Sequence, residues 1–373
     1  MKKLLMSICS LFLLMSCGNN IANNQANNTS EKEVVKVGVI APLSGPASSY
    51  GIDAVNTYTY SVNAYNLSQD DVQIKLIVED GKCNGKDWVS AVQKLINIDR
   101  VAFIIWGVCS GETIAAGKIA QAKKVVMLSP TASAPEVSDI GDYIFRYWND
   151  AHAGIGLGDH LNDNYENITL IVENTDYAKA LGNKVKELYT WNIVSEINFI
   201  STEKDYGIIV NKIEKSPSDA IVFLNQTEST GISMINAMNE RGILEEYGKE
   251  NIIWAYLFSG DTFAQWVGED VAKGLTQINI DSKSSETPRG LAFIEDFKKN
   301  YEIQFDASFI YLEKEAIDFV LESISWGVRD SEDLKEALSA IDKENMRDWY
   351  FGKYYIDAFW DAVGLQYTIE TIQ

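Results

Sequence analysis

The stretch at residues 101–113, VAFIIWGVCSGET, constrains the fold most. Residues 101–106 are all apolar and rich in β-branched and aromatic types, so they read as a strand covered on both faces. A short turn follows, and a helix opens at Gly111 with Glu112 in its first turn. A strand buried on both sides and feeding a helix belongs to a parallel sheet flanked by helices. Ser110 falls at the N-cap position and has two possible uses: capping its own helix, or docking a small carboxylate together with the free N–H groups of the first turn.

The same alternation runs along the chain. A strand at 34–42 (VVKVGVIAP) leads through a Ser- and Gly-rich turn to a helix ending near 63. A strand at 73–80, a helix at 88–98, a helix at 111–123 and a strand at 125–128 complete a first set. A second set restarts at 168–173, with strands at 193–200, 220–224, 252–258 and 275–280 and helices between them. Helical stretches at 291–301, 309–327 and 334–341 need a sheet to cover, so the chain is expected to cross back to the first domain near 282. It returns to the second near the C-terminus. The expected organisation is two doubly wound parallel-sheet α/β lobes joined by hinge strands: 34–147 plus 282–362, and 148–281 plus 363–373.

Lys2 and Lys3 precede an apolar run at 4–15, followed by Ser16, Cys17 and Gly18. The run is too short to span a bilayer and reads as a signal segment, residues 1–16. Residues 14–17, LMSC, resemble a bacterial lipobox, which implies cleavage before Cys17 and a lipid on its sulfur; the alternative is an ordinary signal peptide with an incidental cysteine. Residues 17–33 are Asn-rich and nearly free of bulky apolar side chains, which makes a flexible tether. Removing residues 1–16 takes away two lysines and no acid, so the formal charge of −21 becomes −23. Such a surface repels nucleic acid and anionic lipid.

Of four cysteines, Cys9 lies in the signal and Cys17 at the lipobox. In an exported protein the remaining Cys83 and Cys109 suggest a disulfide; two free thiols are the alternative. The only histidines, His152 and His160, are remote from both, which gives little support to a metal site or a His-based triad. There is no GxxxxGK[ST], HExxH or GxSxG motif. Gly154, Gly156 and Gly158 before Asp159 lack the spacing and the preceding strand of a dinucleotide loop. No cofactor is expected.

Four segments resemble, in order, the type I periplasmic solute-binding proteins related to the Leu/Ile/Val-binding protein: 36–51 (KVGVIAPLSGPASSYG), the Cys83 to Cys109 spacing with CSG, 127–137 (MLSPTASAPEV) and 143–154 (YIFRYWNDAHAG). The resemblance implies a ligand α-carboxylate held by Ser110 and the N–H of Ser133. It implies an ammonium group met by the carbonyl of Thr131, the hydroxyl of Ser133 and an acid of the second lobe, for which Asp261 is the candidate; the alternative is that Asp261 only starts its own helix. Tyr50 and Tyr177 match positions of aromatic contact, one per lobe. Trp106 is either a pocket wall or core. Where branched-chain binders place a third aromatic, this chain has Asn225, Gln226 and Thr227, so Gln226 marks a more polar corner.

The resemblance implies a non-enzymatic, lipid-anchored extracytoplasmic protein of the bacterial envelope. It would capture a small ligand (a branched-chain or other amino acid, or an amide) by hinge closure and deliver it to an ABC permease. A ligand-sensing module for a membrane receptor is the alternative, and an enzyme on the same scaffold would require turnover of the ligand.

Overall fold

The computed structural model describes residues 32–372 except 107, 227, 256–260, 282–284 and 306. The expected signal segment and Cys17 lie outside the described residues. Strands β1 (Glu33–Ala41), β2 (Val72–Asp80), β3 (Phe103–Trp106), β4 (Met127–Ser129) and β5 (Ile144–Arg146) form a parallel sheet in the order β2-β1-β3-β4-β5. Helices α1 (Ser48–Ser68), α2 (Gly85–Lys94) and α3 (Ser110–Lys123) connect the first four of these strands. The two faces of this sheet are both buried. Val37, Val39, Phe103, Ile105 and Leu128 pack on one side with Tyr58 and Phe319. Ile40, Ile104 and Met127 pack on the other with Trp88, Val92, Leu95 and Ala120. This is why the strands read as apolar runs rather than as alternating patterns.

The chain then forms helix α4 (Asp150–Asn164), β6 (Asn167–Glu173), α5 (Asp176–Leu188), β7 (Asn192–Phe199), α6 (Tyr206–Glu214), β8 (Ala220–Leu224) and α7 (Glu228–Glu240). A short α8 (Ile243–Tyr247), β9 (Ile252–Ala255), α9 (Asp261–Val267), α10 (Glu269–Ala272) and β10 (Thr276–Ile280) follow. Helices α11 (Pro288–Phe297), α12 (Ala307–Ser325) and α13 (Ser331–Ser339) precede an antiparallel sheet of β11 (Arg347–Trp349), β12 (Gly352–Ile356) and β13 (Ala362–Val363). The last strand, β14 (Tyr367–Thr371), pairs antiparallel with β10, and the second sheet runs β14-β10-β9-β8-β6-β7. Helix α12 packs on α1, against the first sheet.

Several boundaries differ from the sequence reading. Helix α3 begins at Ser110, so Cys109 is the N-cap residue and Ser110 lies inside the first turn. Helix α2 begins three residues early because Asn84 caps it, accepting from the Asp87 N–H at 3.0 Å. Helix α4 was not anticipated at all. Its glycines explain the weak signal and also the packing, since a Cβ on Gly154 would meet Lys184 and one on Gly158 would meet Leu188, both on α5. Glycine lowers helix propensity but lets two helices approach closely.

In both large sheets the strand order reverses direction at the first strand, and the loops at the carboxyl ends diverge there. The crossing between the sheets is held by a buried pair: Arg146 Nε donates to Asp361 at 2.5 Å, and Asn149 Nδ2 donates to the same carboxylate at 2.6 Å. Trp148 lies between these two anchors.

Candidate functional site

The loops leaving the carboxyl ends of β1, β3, β4, β6 and β8 converge on one cavity of about 340 Å³, partly continuous with solvent. It is lined by Tyr50, Val108, Thr131, Ser133, Trp148, Tyr177, Gln226 and Phe309. Tyr50, Thr131 and Ser133 follow strands of the first sheet, whereas Tyr177 and Gln226 follow strands of the second, so the cavity is closed from both sides.

One wall is aromatic. The Tyr50 ring lies 4.0 Å from Phe305 and 5.7 Å from Phe309, and Trp148 lies 5.1 Å from Phe309, measured between centroids. Such tilted and edge-on pairs hold one another in place and present a rigid apolar surface. Opposite, Gln226 fastens the two halves. Its backbone carbonyl accepts from the Tyr50 hydroxyl at 3.2 Å, and its backbone N–H donates to Glu173 at 2.5 Å. Its side-chain amide reaches Cys83 Sγ at 3.7 Å.

Cys83 and Cys109 are joined as a disulfide with their Cα atoms 5.8 Å apart. Glu112 lies within ligating reach of both sulfurs, but sulfurs bonded to each other are not thiolate ligands for a metal. Glu112 is 3 % exposed, and one of its oxygens has no hydrogen-bond partner among the described residues. Burial, reinforced by the nearby charge of Asp176, pushes its carboxyl up to about 9. Asp176 belongs to the first turn of α5, and its carboxylate occupies the place a Cβ of Gly111 would take. The N-termini of α3 and α5 therefore meet face to face across the cleft.

The structure brings Tyr50, Thr131, Ser133, Tyr177 and Gln226 to the cavity. Ser110 lies behind the lining, 1 % exposed, and its hydroxyl accepts from the Ala134 N–H at 3.1 Å rather than capping α3. It thereby fixes the loop that carries Thr131 and Ser133. Asn225 is turned inward and donates to Thr230, so Gln226 carries the polar corner. The side chains of Trp106 and Asp261 lie outside the described residues. Sequence reasoning did not single out Val108, Trp148 or Phe309. Trp148 sits in the quoted crossing segment, while Phe309 gave no local signal, because its partners are distant in sequence.

The profile of the family described as "Periplasmic binding protein" matches residues 34–358. The leucine-, isoleucine-, valine-, threonine- and alanine-binding protein of Pseudomonas aeruginosa is 23% identical over 352 residues, spanning 91% of this chain and 90% of that protein. The leucine-specific-binding protein of Salmonella typhimurium is 23% identical over 274 residues, spanning 71% and 72%. Among solved structures, the branched-chain amino acid transporter substrate-binding protein LivJ of Streptococcus pneumoniae, in complex with isoleucine, superposes with a TM-score of 0.81 at 21% identity, covering 91% of this chain and 96% of that one. A solute-binding protein of an ABC transporter from Rhodopseudomonas palustris, in complex with 3,4-dihydroxybenzoic acid, gives 0.80 at 20% identity, covering 91% and 93%.

Proposed function

The chain belongs to the periplasmic binding protein family, and we propose that it captures a small amino-acid-like solute between its two lobes and hands it to an ABC-type permease. The observation that carries this reading is the cavity itself, bounded by residues of both lobes and fastened by the Tyr50 to Gln226 hydrogen bond. A solute touching Thr131 and Ser133 on one side and Tyr177 and Gln226 on the other binds the closed arrangement better than an open one, and so draws the population toward it. We take the lobes as 34–147 plus 282–362 and 148–281 plus 363–373. The Leu/Ile/Val/Thr/Ala range of the Pseudomonas relative and the aromatic wall here favour an amino acid with a short apolar side chain; Gln226 leaves room for a polar one or an amide.

The same reading makes the protein a binder rather than an enzyme, with Ser110 supporting the Thr131 to Ser133 loop and Asp261 available as an acid of the second lobe. It places the chain on the extracytoplasmic side of a bacterial membrane, held by a lipid on Cys17. Among the described residues no helix is long and apolar enough to cross a membrane.

A thermal-shift screen of the purified protein, freed of co-purified solute, against amino acids, their amides and hydroxybenzoates tests this reading. At a concentration about a hundred times Kd, a ligand adds roughly 2.7 kcal/mol. Stabilisation by at least one amino acid or amide is expected. Stabilisation by hydroxybenzoates alone, or by nothing in the panel, overturns the amino-acid assignment.

A further inference from the structure

On the side where the chain crosses between the sheets, the cavity ends against an indole to which the proposed function gives no role of its own. Trp148 stands two residues after Arg146, the last residue of β5, and so lies on the passage from the first sheet to the second. The final passage to β14 runs beside it, joined by a parallel bridge between Arg146 and Asp361. Trp148 is 2 % exposed and yet lines the cavity, so its ring is wall rather than rim.

The ring is fixed in place from several directions. On one side it packs on Phe309 of α12, with centroids 5.1 Å apart and planes at 49°. On another it packs on Tyr367 of β14, at 6.4 Å and 52°. The Tyr367 hydroxyl in turn donates to the backbone carbonyl of Asn149 at 3.4 Å, and Asn149 Nδ2 donates to the Asp361 carboxylate that also holds Arg146. The indole is therefore clamped between a helix that covers the first sheet and a strand of the second, and its own backbone is pinned on either side. Swinging it aside would break both ring contacts. A residue at the crossing also keeps its place as the lobes open and close, because displacement about a hinge is smallest at the hinge.

Resting on the amino-acid reading above, we propose that Trp148 is a specificity-determining residue: its indole stops the side chain of the solute and so excludes amino acids with aromatic side chains. The lining divides by chemistry. Thr131, Ser133 and Gln226 carry hydroxyl and amide groups that suit an ammonium and a carboxylate, whereas Val108, Phe309 and Trp148 offer mainly carbon. The side chain of the solute goes against the apolar part, since pressing it on the polar groups would leave those groups unpaired. There it meets Phe309 and, toward the crossing, the clamped indole. A side chain long enough to reach past them must displace a buried ring, and a packed interior takes extra volume only by strain. A single methylene more or less in an apolar pocket shifts selectivity by about 10–200-fold, and phenylalanine adds several carbons to the side chain of leucine.

The test is titration calorimetry of the purified protein, freed of co-purified solute, with L-alanine, L-valine, L-leucine, L-threonine, L-glutamine and L-phenylalanine. It is run on the parent, on Trp148→Phe and on Trp148→Ala. Trp148→Phe keeps a ring against Phe309 and shortens the wall; Trp148→Ala opens a space of the kind that, at about 150 Å³ in an engineered apolar cavity, holds benzene. The parent should favour its best non-aromatic amino acid over phenylalanine by at least about a hundredfold. Trp148→Ala should cut that ratio by about tenfold or more, with Trp148→Phe in between. The ratio is the readout because an indole that merely held the crossing together would, when cut back, weaken every amino acid alike. A parent that binds phenylalanine as tightly as the others overturns the role of Trp148 while the proposed function stands. So do variants in which all affinities fall together at an unchanged ratio. Should Trp148→Ala fail to fold, Trp148→Phe is judged by the same ratio. Absence of binding by every amino acid in the set to the parent overturns both readings.

Discussion

The Tyr50 hydroxyl donates to the backbone carbonyl of Gln226 at 3.2 Å, and in doing so spans the cleft between residues that lie 176 positions apart. Tyr50 is held from behind by Phe305 and Phe309, and Gln226 is held by Glu173, so the bond joins two fixed points rather than two mobile ones. Tyr50→Phe keeps the ring stack and removes only the hydroxyl. A neutral hydrogen bond contributes about 1 kcal/mol net, which corresponds to roughly fivefold weaker solute binding. Calorimetry should show this loss with an unchanged melting temperature for the solute-free protein.

The Cys83 to Cys109 disulfide closes a loop across a sequence separation of 26 residues and also carries the sulfur that the Gln226 amide approaches. Replacing both cysteines with serine removes a constraint of about 3.5 kcal/mol on the chain-entropy account. The double variant should melt well below the parent. The parent should fall toward it in strong reductant, and the variant should be insensitive to reductant.

Glu112 gives stability a pH dependence of unusual sign. Burial, and then Asp176, raise its folded carboxyl to about 9, far above its ordinary value near 4.5. The folded chain therefore binds more protons at Glu112 than the unfolded chain does. Its contribution is most favourable below the unfolded pKa, declines as pH rises from about 4.5 toward 9, and is level beyond that. Glu112→Gln fixes the neutral form. The variant should gain on the parent by roughly 2–3 kcal/mol between pH 5 and pH 7, visible as a diverging melting temperature. Parallel melting temperatures across that range would show that Glu112 titrates near its ordinary value.

The alternating elements were legible because strands buried on both faces, such as β1 and β3, leave an apolar run that helices interrupt. The helix start at Ser110 was misplaced by one residue, because serine is a favoured cap and the sequence does not reveal that its hydroxyl is engaged by Ala134. Helix α4 was hidden by glycines whose reason is the closeness of α5, a tertiary fact. Tyr50, Thr131 and Ser133 were reachable from family-like segments at strand ends, Tyr177 from a single matched position, and Gln226 from a departure where branched-chain binders place an aromatic. Phe309 was not, because α12 reaches the cavity only after the chain has crossed back to the first sheet. Nothing local marks which turn of a long amphipathic helix will face a site.

The most direct measurement for the account is a crystal structure of the protein with the strongest solute from the amino-acid and amide screen. The account predicts the solute inside the cavity, touching Thr131 and Ser133 on one side and Tyr177 and Gln226 on the other, with Tyr50 still bonded to Gln226. A solute bound outside that cavity, or inside it without contact to one of the two lobes, would contradict capture by closure.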